Sequence, residues 1–144
     1  MPTTLTPKAS LLDAFLIFGV LLLPIIIVNV LLYYLGLAIN AFGAEILVPG
    51  NGSLGVGSVI VLSILGSLIC LGLYLVIRGL NDRPGKWLQR IGLPLLLLSL
   101  LLPLIVPNAN VLTVLTLGAM LIVIGLPFIR AYARLSRDML LKSG

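Results

Sequence analysis

Polar side chains gather in a few short stretches of this chain, and the runs between them are apolar over lengths that cross a bilayer. Leu11 to about Ile39, Val56 to Ile77, Leu88 to Val106 and Val111 to Ile129 are four such runs. An α-helix rises about 1.5 Å per residue and the hydrocarbon core is about 30 Å thick, so each run reads as one membrane-spanning helix. The pattern predicts an all-α, integral membrane four-helix bundle, with residues 1–144 forming a single membrane domain. The first run is long for one crossing, about 44 Å as a helix, which implies tilt, a kink or protrusion.

Local signals refine the spans. Ser10 stands where an N-cap would, with the Asp13 carboxylate at the first turn, where a helix N-terminus favours negative charge. Pro24 removes a backbone donor from the first span, and Tyr33 and Tyr34 mark its far interface. Pro49-Gly-Asn-Gly52 is a turn, and Glu45 before it is the one charge expected on that side, a solvated loop carboxylate or a contact for an external partner.

In the second span Ser63, Gly66, Ser67 and Cys70 recur at three- and four-residue spacing. Small residues so spaced let helix backbones approach closely in lipid, so this span is expected to be the most enclosed. Asn29 is the one amide deep within a span and calls for an interhelical hydrogen bond. Asn29, Ser63, Gly66 and Ser67 are thus the candidate helix-packing residues. Trp87 anchors the third span, Pro103 should break or bend it near its end, and Asn110 can cap the fourth. Beyond Pro127 a C-terminal amphipathic extension over 130–142 is expected. Phe128, Tyr132, Leu135 and Met139 lie on one face and Arg130, Arg134 and Arg137 on the other, and Pro127 should loosen its join to the span.

Charge then orients the bundle. Arg78, Arg83, Lys86 and Arg90 lie between the second and third spans. Arg130, Arg134, Arg137 and Lys142 follow the fourth, and Lys8 precedes the first. All basic residues fall on one side, which the positive-inside rule makes cytoplasmic, with both termini inside. Arg78, Arg83, Lys86, Arg90, Arg130, Arg134 and Arg137 are candidate contacts for anionic lipid headgroups or for a partner protein.

Composition excludes more than it assigns. Only 9% of residues are charged and 60% are apolar. The net charge of +5 belongs to membrane orientation, not to phosphate binding, and no nucleic-acid partner is expected. Cys70 is the sole cysteine and histidine is absent, so no disulfide, metal site or other cofactor is expected. Span hydroxyls such as Ser99, Thr113 and Thr116 have no activating base beside them, and no catalytic residue is assigned.

Several stretches together carry a resemblance: Val48-Pro49-Gly50, Arg78 with Arg83-Pro84, Leu98-Ser-Leu-Leu-Leu-Pro103, and Leu117-Gly-Ala-Met120. From about Gly36 to Ile129 the layout resembles an uncharacterised bacterial family of small four-span membrane proteins, a domain of unknown function. The resemblance implies a fold and no activity. A His often follows the Met of that family's pattern; Leu121 stands there in this chain.

These readings favour a non-enzymatic accessory subunit. It would pack against larger membrane proteins of a bacterial plasma membrane, for example in a photosynthetic or respiratory energy-transducing complex. The alternative is a homo-oligomeric transporter or channel for a small solute. Such carriers usually place a charged or strongly polar group near the midplane, where this chain offers Asn29 and hydroxyls. A lipid-modifying enzyme ranks below both for want of a base.

Overall fold

The structure, a computed structural model, describes residues 11–42, 47–48, 52–53, 55–80, 84–106 and 109–142, with the backbone alone at 47–48, 52–53 and 136–142. Among these residues the chain forms four long α-helices: α1 (Leu11–Ala38), α2 (Val56–Leu80), α3 (Pro84–Ser99) and α4 (Val111–Lys142). Each is long and apolar enough to cross a membrane, α3 together with the 3-10 turn Leu102–Ile105 that follows it. The chain is therefore a multi-pass membrane bundle. Between α1 and α2 a two-residue antiparallel ladder pairs Leu47 with Ser53 and Val48 with Gly52. Ser10, Glu45, Arg83 and the Pro49-Gly50 turn lie outside the described residues.

The helix ends follow from their sequences. At the end of α1, Asn40 takes a left-handed conformation (φ 53°), which Asn tolerates better than most residues. The Asn40 amide then donates to the Leu37 carbonyl and the Ala41 amide to the Gly36 carbonyl, closing α1 with the paired bonds of a Schellman motif. The reversal lays the Phe42 ring on Gly36, where an added Cβ would overlap the ring. Asn110 caps α4 as expected: its Oδ1 accepts from the Thr113 amide at 2.8 Å.

Two boundaries differ from expectation. α3 begins at Pro84, not Leu88, because proline is preorganised for the first helical position. It ends at Ser99, because the Pro103 nitrogen cannot donate to the Ser99 carbonyl and the chain tightens into the 3-10 turn. Pro127, expected to loosen a join, does not interrupt α4. The segment 130–142 is helical, yet it forms the last turns of α4 itself. Phe128 and Tyr132 are fully buried inside the bundle instead of lying on a bilayer surface. Leu135 is partly buried against the same core, whereas the side chains of Arg137 and Met139 lie outside the described residues.

α4 packs against all three other helices, and α2 does the same with fewer contacts to α3; α1 and α3 flank this pair. The main core joins Ile25, Leu71, Tyr74, Ile77, Leu88, Ile124, Phe128 and Tyr132. A smaller one at the other end joins Tyr33, Val59 and Met120. The most enclosed span is thus α4, which buries more residues than α2, Met120, Ile124, Phe128, Ile129, Tyr132 and Ala133 among them, and this corrects the ranking drawn from small residues alone. α4 combines glycines that admit α3 with large rings that fill the space toward α1 and α2, and both raise burial.

Candidate functional site

Polar groups enter the α1–α2–α4 core in separate layers. In the middle one, the Asn29 amide Nδ2 donates to Ser63 Oγ at 2.8 Å, tying α1 to α2. Ser63 Oγ in turn donates to the Val59 carbonyl (2.8 Å) and Ser67 Oγ to the Ser63 carbonyl (2.7 Å). Hydroxyls bonded back to their own helix need no outside partner, so serine is tolerated in hydrocarbon. The Asn29 Oδ1 is buried without a hydrogen-bond partner. Gly66 stands at the α2–α4 contact, where a Cβ would meet Ile124 Cγ2 at 3.2 Å. Asn29, Ser63 and Gly66 therefore lie at helix contacts, and Ser67 is buried.

A second layer sits nearer the chain ends and was not foreseen. Tyr74 of α2 and Tyr132 of α4 stack with centroids 4.3 Å apart and planes 9° from parallel. Phe128 stacks on Tyr132 and on Phe18 of α1. The Tyr132 hydroxyl donates to the Ala14 carbonyl at 3.2 Å, binding the start of α1 to α4. The Tyr74 hydroxyl is buried without a hydrogen-bond partner, and Asp13 and Arg78 both lie close enough to act on it electrostatically. Asp13 in the first turn of α1 and Arg78 in the last turn of α2 each sit at the helix end whose dipole suits their charge.

The basic candidates divide. Arg78 continues the inward stripe Ser63, Ser67, Leu71, Tyr74 at helical spacing, is only half exposed, and buries its Nε without a hydrogen-bond partner. Lys86, Arg90, Arg130 and Arg134 are exposed. Gly92 of α3 packs against Ile129 of α4. These helices run antiparallel, so Arg90 and Arg130 stand at one level and Lys86 and Arg134 about one turn further out. Both pairs project from the faces opposite the buried ones. They form an outward rim, not a converging pocket. Arg83 and the Arg137 side chain lie outside the described residues.

At the opposite end, the Thr113 hydroxyl is buried within reach of the Ala41 carbonyl and of Asn110 Oδ1 at 2.9 Å. It fastens the loop after α1 to the start of α4. No group of three or more His, Cys, Asp or Glu able to hold a metal occurs among the described residues.

The decisive comparison is with family models. The chain belongs to a family of unknown function, DUF6069, whose model matches residues 16–138. The match takes in all four helices and is wider than the Gly36–Ile129 stretch that carried the resemblance. No curated protein and no solved structure matches the DUF6069 chain.

Proposed function

We propose that this DUF6069 chain is a non-catalytic accessory subunit that packs against larger membrane proteins. In this reading it lies in a bacterial plasma membrane, with both termini and the basic rim cytoplasmic, and the rim meets anionic headgroups. The observation that carries the reading is the aliphatic layer between the two polar ones. Leu71, which is buried, and partly buried Leu21, packed in the same core, separate Asn29, Ser63 and Ser67 from Tyr74, Tyr132 and Arg78. Ser67 and Tyr74 are seven residues apart on α2, about 10 Å along the axis. A polar solute crossing that distance among aliphatic side chains would give up its hydrogen bonds. The polar groups serve contacts between helices, as a packing module requires. The outer face of α2 adds support: a Cβ at Gly72 would meet nothing within 4 Å, leaving room for close approach by another helix.

The transporter reading keeps one observation, the unmet Asn29 Oδ1 near mid-membrane. One experiment separates the two. The tagged chain is purified from native membranes in mild detergent, its co-migrating proteins are identified by mass spectrometry, and the same material is sized. A reproducible set of larger membrane proteins supports the accessory reading. A homo-oligomer with none of them overturns it.

A further inference from the structure

The two faces of the bundle present apolar surfaces of unequal height. Phe18 of α1 stacks on Phe128 of α4, and these helices run antiparallel, so Leu16 stands level with Arg130 and Leu12 level with Arg134. Tyr74 of α2 stacks on Tyr132, and these helices run parallel, so Val76 also stands level with Arg134 and Leu80 beyond it. At and past the levels where α3 and α4 expose Lys86, Arg90, Arg130 and Arg134, α1 and α2 expose mainly aliphatic and aromatic side chains, with Asp13 and Arg78 only partly exposed among them. Leu12 is 69% exposed, Leu80 78%, and Phe15 and Val76 are exposed as well. Along α1 the apolar surface runs the whole helix, about 42 Å. Along α4 it runs from Val111 to Arg130, about 28 Å. At the far end the faces match, since Tyr34 stands level with Leu112 and both are exposed.

We infer that, where no partner covers it, the α1–α2 face reaches deeper into acyl chains than the α3–α4 face, so that the bundle alone in lipid sits tilted with its basic end dipping on the α1 side. Charge decides the direction. Arg130 and Arg90 with nearby Trp87 hold the α3–α4 side at the headgroup level, while the first turns of α1 carry no cation and their apolar side chains cost free energy in water. A tilt on the order of 20° is within the ordinary range for membrane helices and lowers the apolar turns toward hydrocarbon. It also places Asp13, Tyr74 and Arg78 beneath the headgroups, where their mutual electrostatics are stronger than in water.

This inference does not depend on the accessory role and is tested in lipid alone. Single cysteines replace Leu12 and Arg134 in turn, in a Cys70→Ala background, and carry a nitroxide label. The purified chain is placed in vesicles of phosphatidylcholine and phosphatidylglycerol. Depth is read from relaxation by oxygen against a water-soluble nickel chelate. The Leu12 label should lie about 3–7 Å deeper than the Arg134 label, although the two stand at one level of the bundle. Adding Leu11→Lys and Phe15→Lys, both at exposed positions, should bring the two depths together without changing the helical circular dichroism. Equal depths in the parent background, or a Leu12 label in water, would overturn the inference. The second of these results would leave that face for a partner protein to cover in the native membrane.

Discussion

Where α1 meets α2 and α4, the contacts are hydrogen bonds and stacked rings; where α3 meets α4, they are glycines pressed against aliphatic side chains. The first seam has Asn29 on Ser63, Tyr132 on the Ala14 carbonyl, and the stack of Tyr74, Tyr132, Phe128 and Phe18. The second has Gly92 under Ile129 and Gly125 under Leu96. In lipid neither seam gains much from removing apolar surface from water, so each must draw on something else. The polar and aromatic seam draws on bonds with direction, and directional bonds fix register. The glycine seam draws on dispersion at short range, which grows with closeness but specifies position only by shape. A bundle that used only the second kind would slide more easily.

The largest test of this contrast removes the aromatic anchor. Tyr132→Ala deletes a fully buried ring that touches α1 and α2 at once, and should cost about 3 kcal/mol or more. Tyr132→Phe keeps the stack and loses only the hydroxyl bond, and should cost about 1 kcal/mol. Unfolding in mixed micelles, followed by circular dichroism, reads both. If the two variants unfold alike, the stack contributes little and the hydroxyl carries the seam.

Next comes the glycine seam. A Cβ at Gly125 would lie 2.6 Å from Leu96 Cδ1, so Gly125→Val should cost about 1–3 kcal/mol by overpacking. The clashing atom is the end of a flexible side chain, so Leu96→Ala in the same chain should recover more than half of the loss. Failure of that rescue would show that backbone, not the Leu96 side chain, sets the spacing. A smaller effect is expected for the polar pair. In a double-mutant cycle, Asn29→Leu and Ser63→Ala should couple by about 0.6 kcal/mol and by no more than about 1.7. A coupling near zero would remove the pair from the seam.

These seams were unequally legible in the sequence. The spans were plain, because their length and composition leave no other reading, and Asn110 announced its cap. The Asn29 bond was legible too, since a lone amide in hydrocarbon must find a partner. The Tyr74–Tyr132 stack was not. α1 and much of α2 are apolar nearly all round, so hydrophobic periodicity says little about which face turns inward. The inward stripe of α2 could have been followed through its weakly polar members, Ser63, Ser67, Tyr74 and Arg78, which recur at multiples of the helical turn. Reading Arg78 as an orienting charge and a headgroup or partner contact hid that continuity. Reading Phe128 and Tyr132 as one face of a surface helix came from treating Pro127 as a break. In hydrocarbon a helix has no water to bond its freed carbonyls, and α4 continues through the proline.

The smallest expected effect bears most on what the protein does. Gly66 and Gly72 lie on the same helix six residues apart, one turned to Ile124 at 3.2 Å and the other to open space. Gly66→Leu must push α4 away and should destabilise the isolated chain by about 1–3 kcal/mol. Gly72→Leu adds a side chain to the outer face, meets nothing within the bundle, and replaces a poor helix former by a good one. Its effect on the isolated chain should stay within about 0.5 kcal/mol and tend toward stabilisation. In native membranes the same substitution answers a different question. If Gly72 admits a neighbouring subunit closely, the leucine should strip larger proteins from the purified chain while its own unfolding is unchanged. Retention of those proteins by Gly72→Leu would move the docking face off α2, and loss of them only in Gly66→Leu would mean that partners recognise the intact bundle and not this surface.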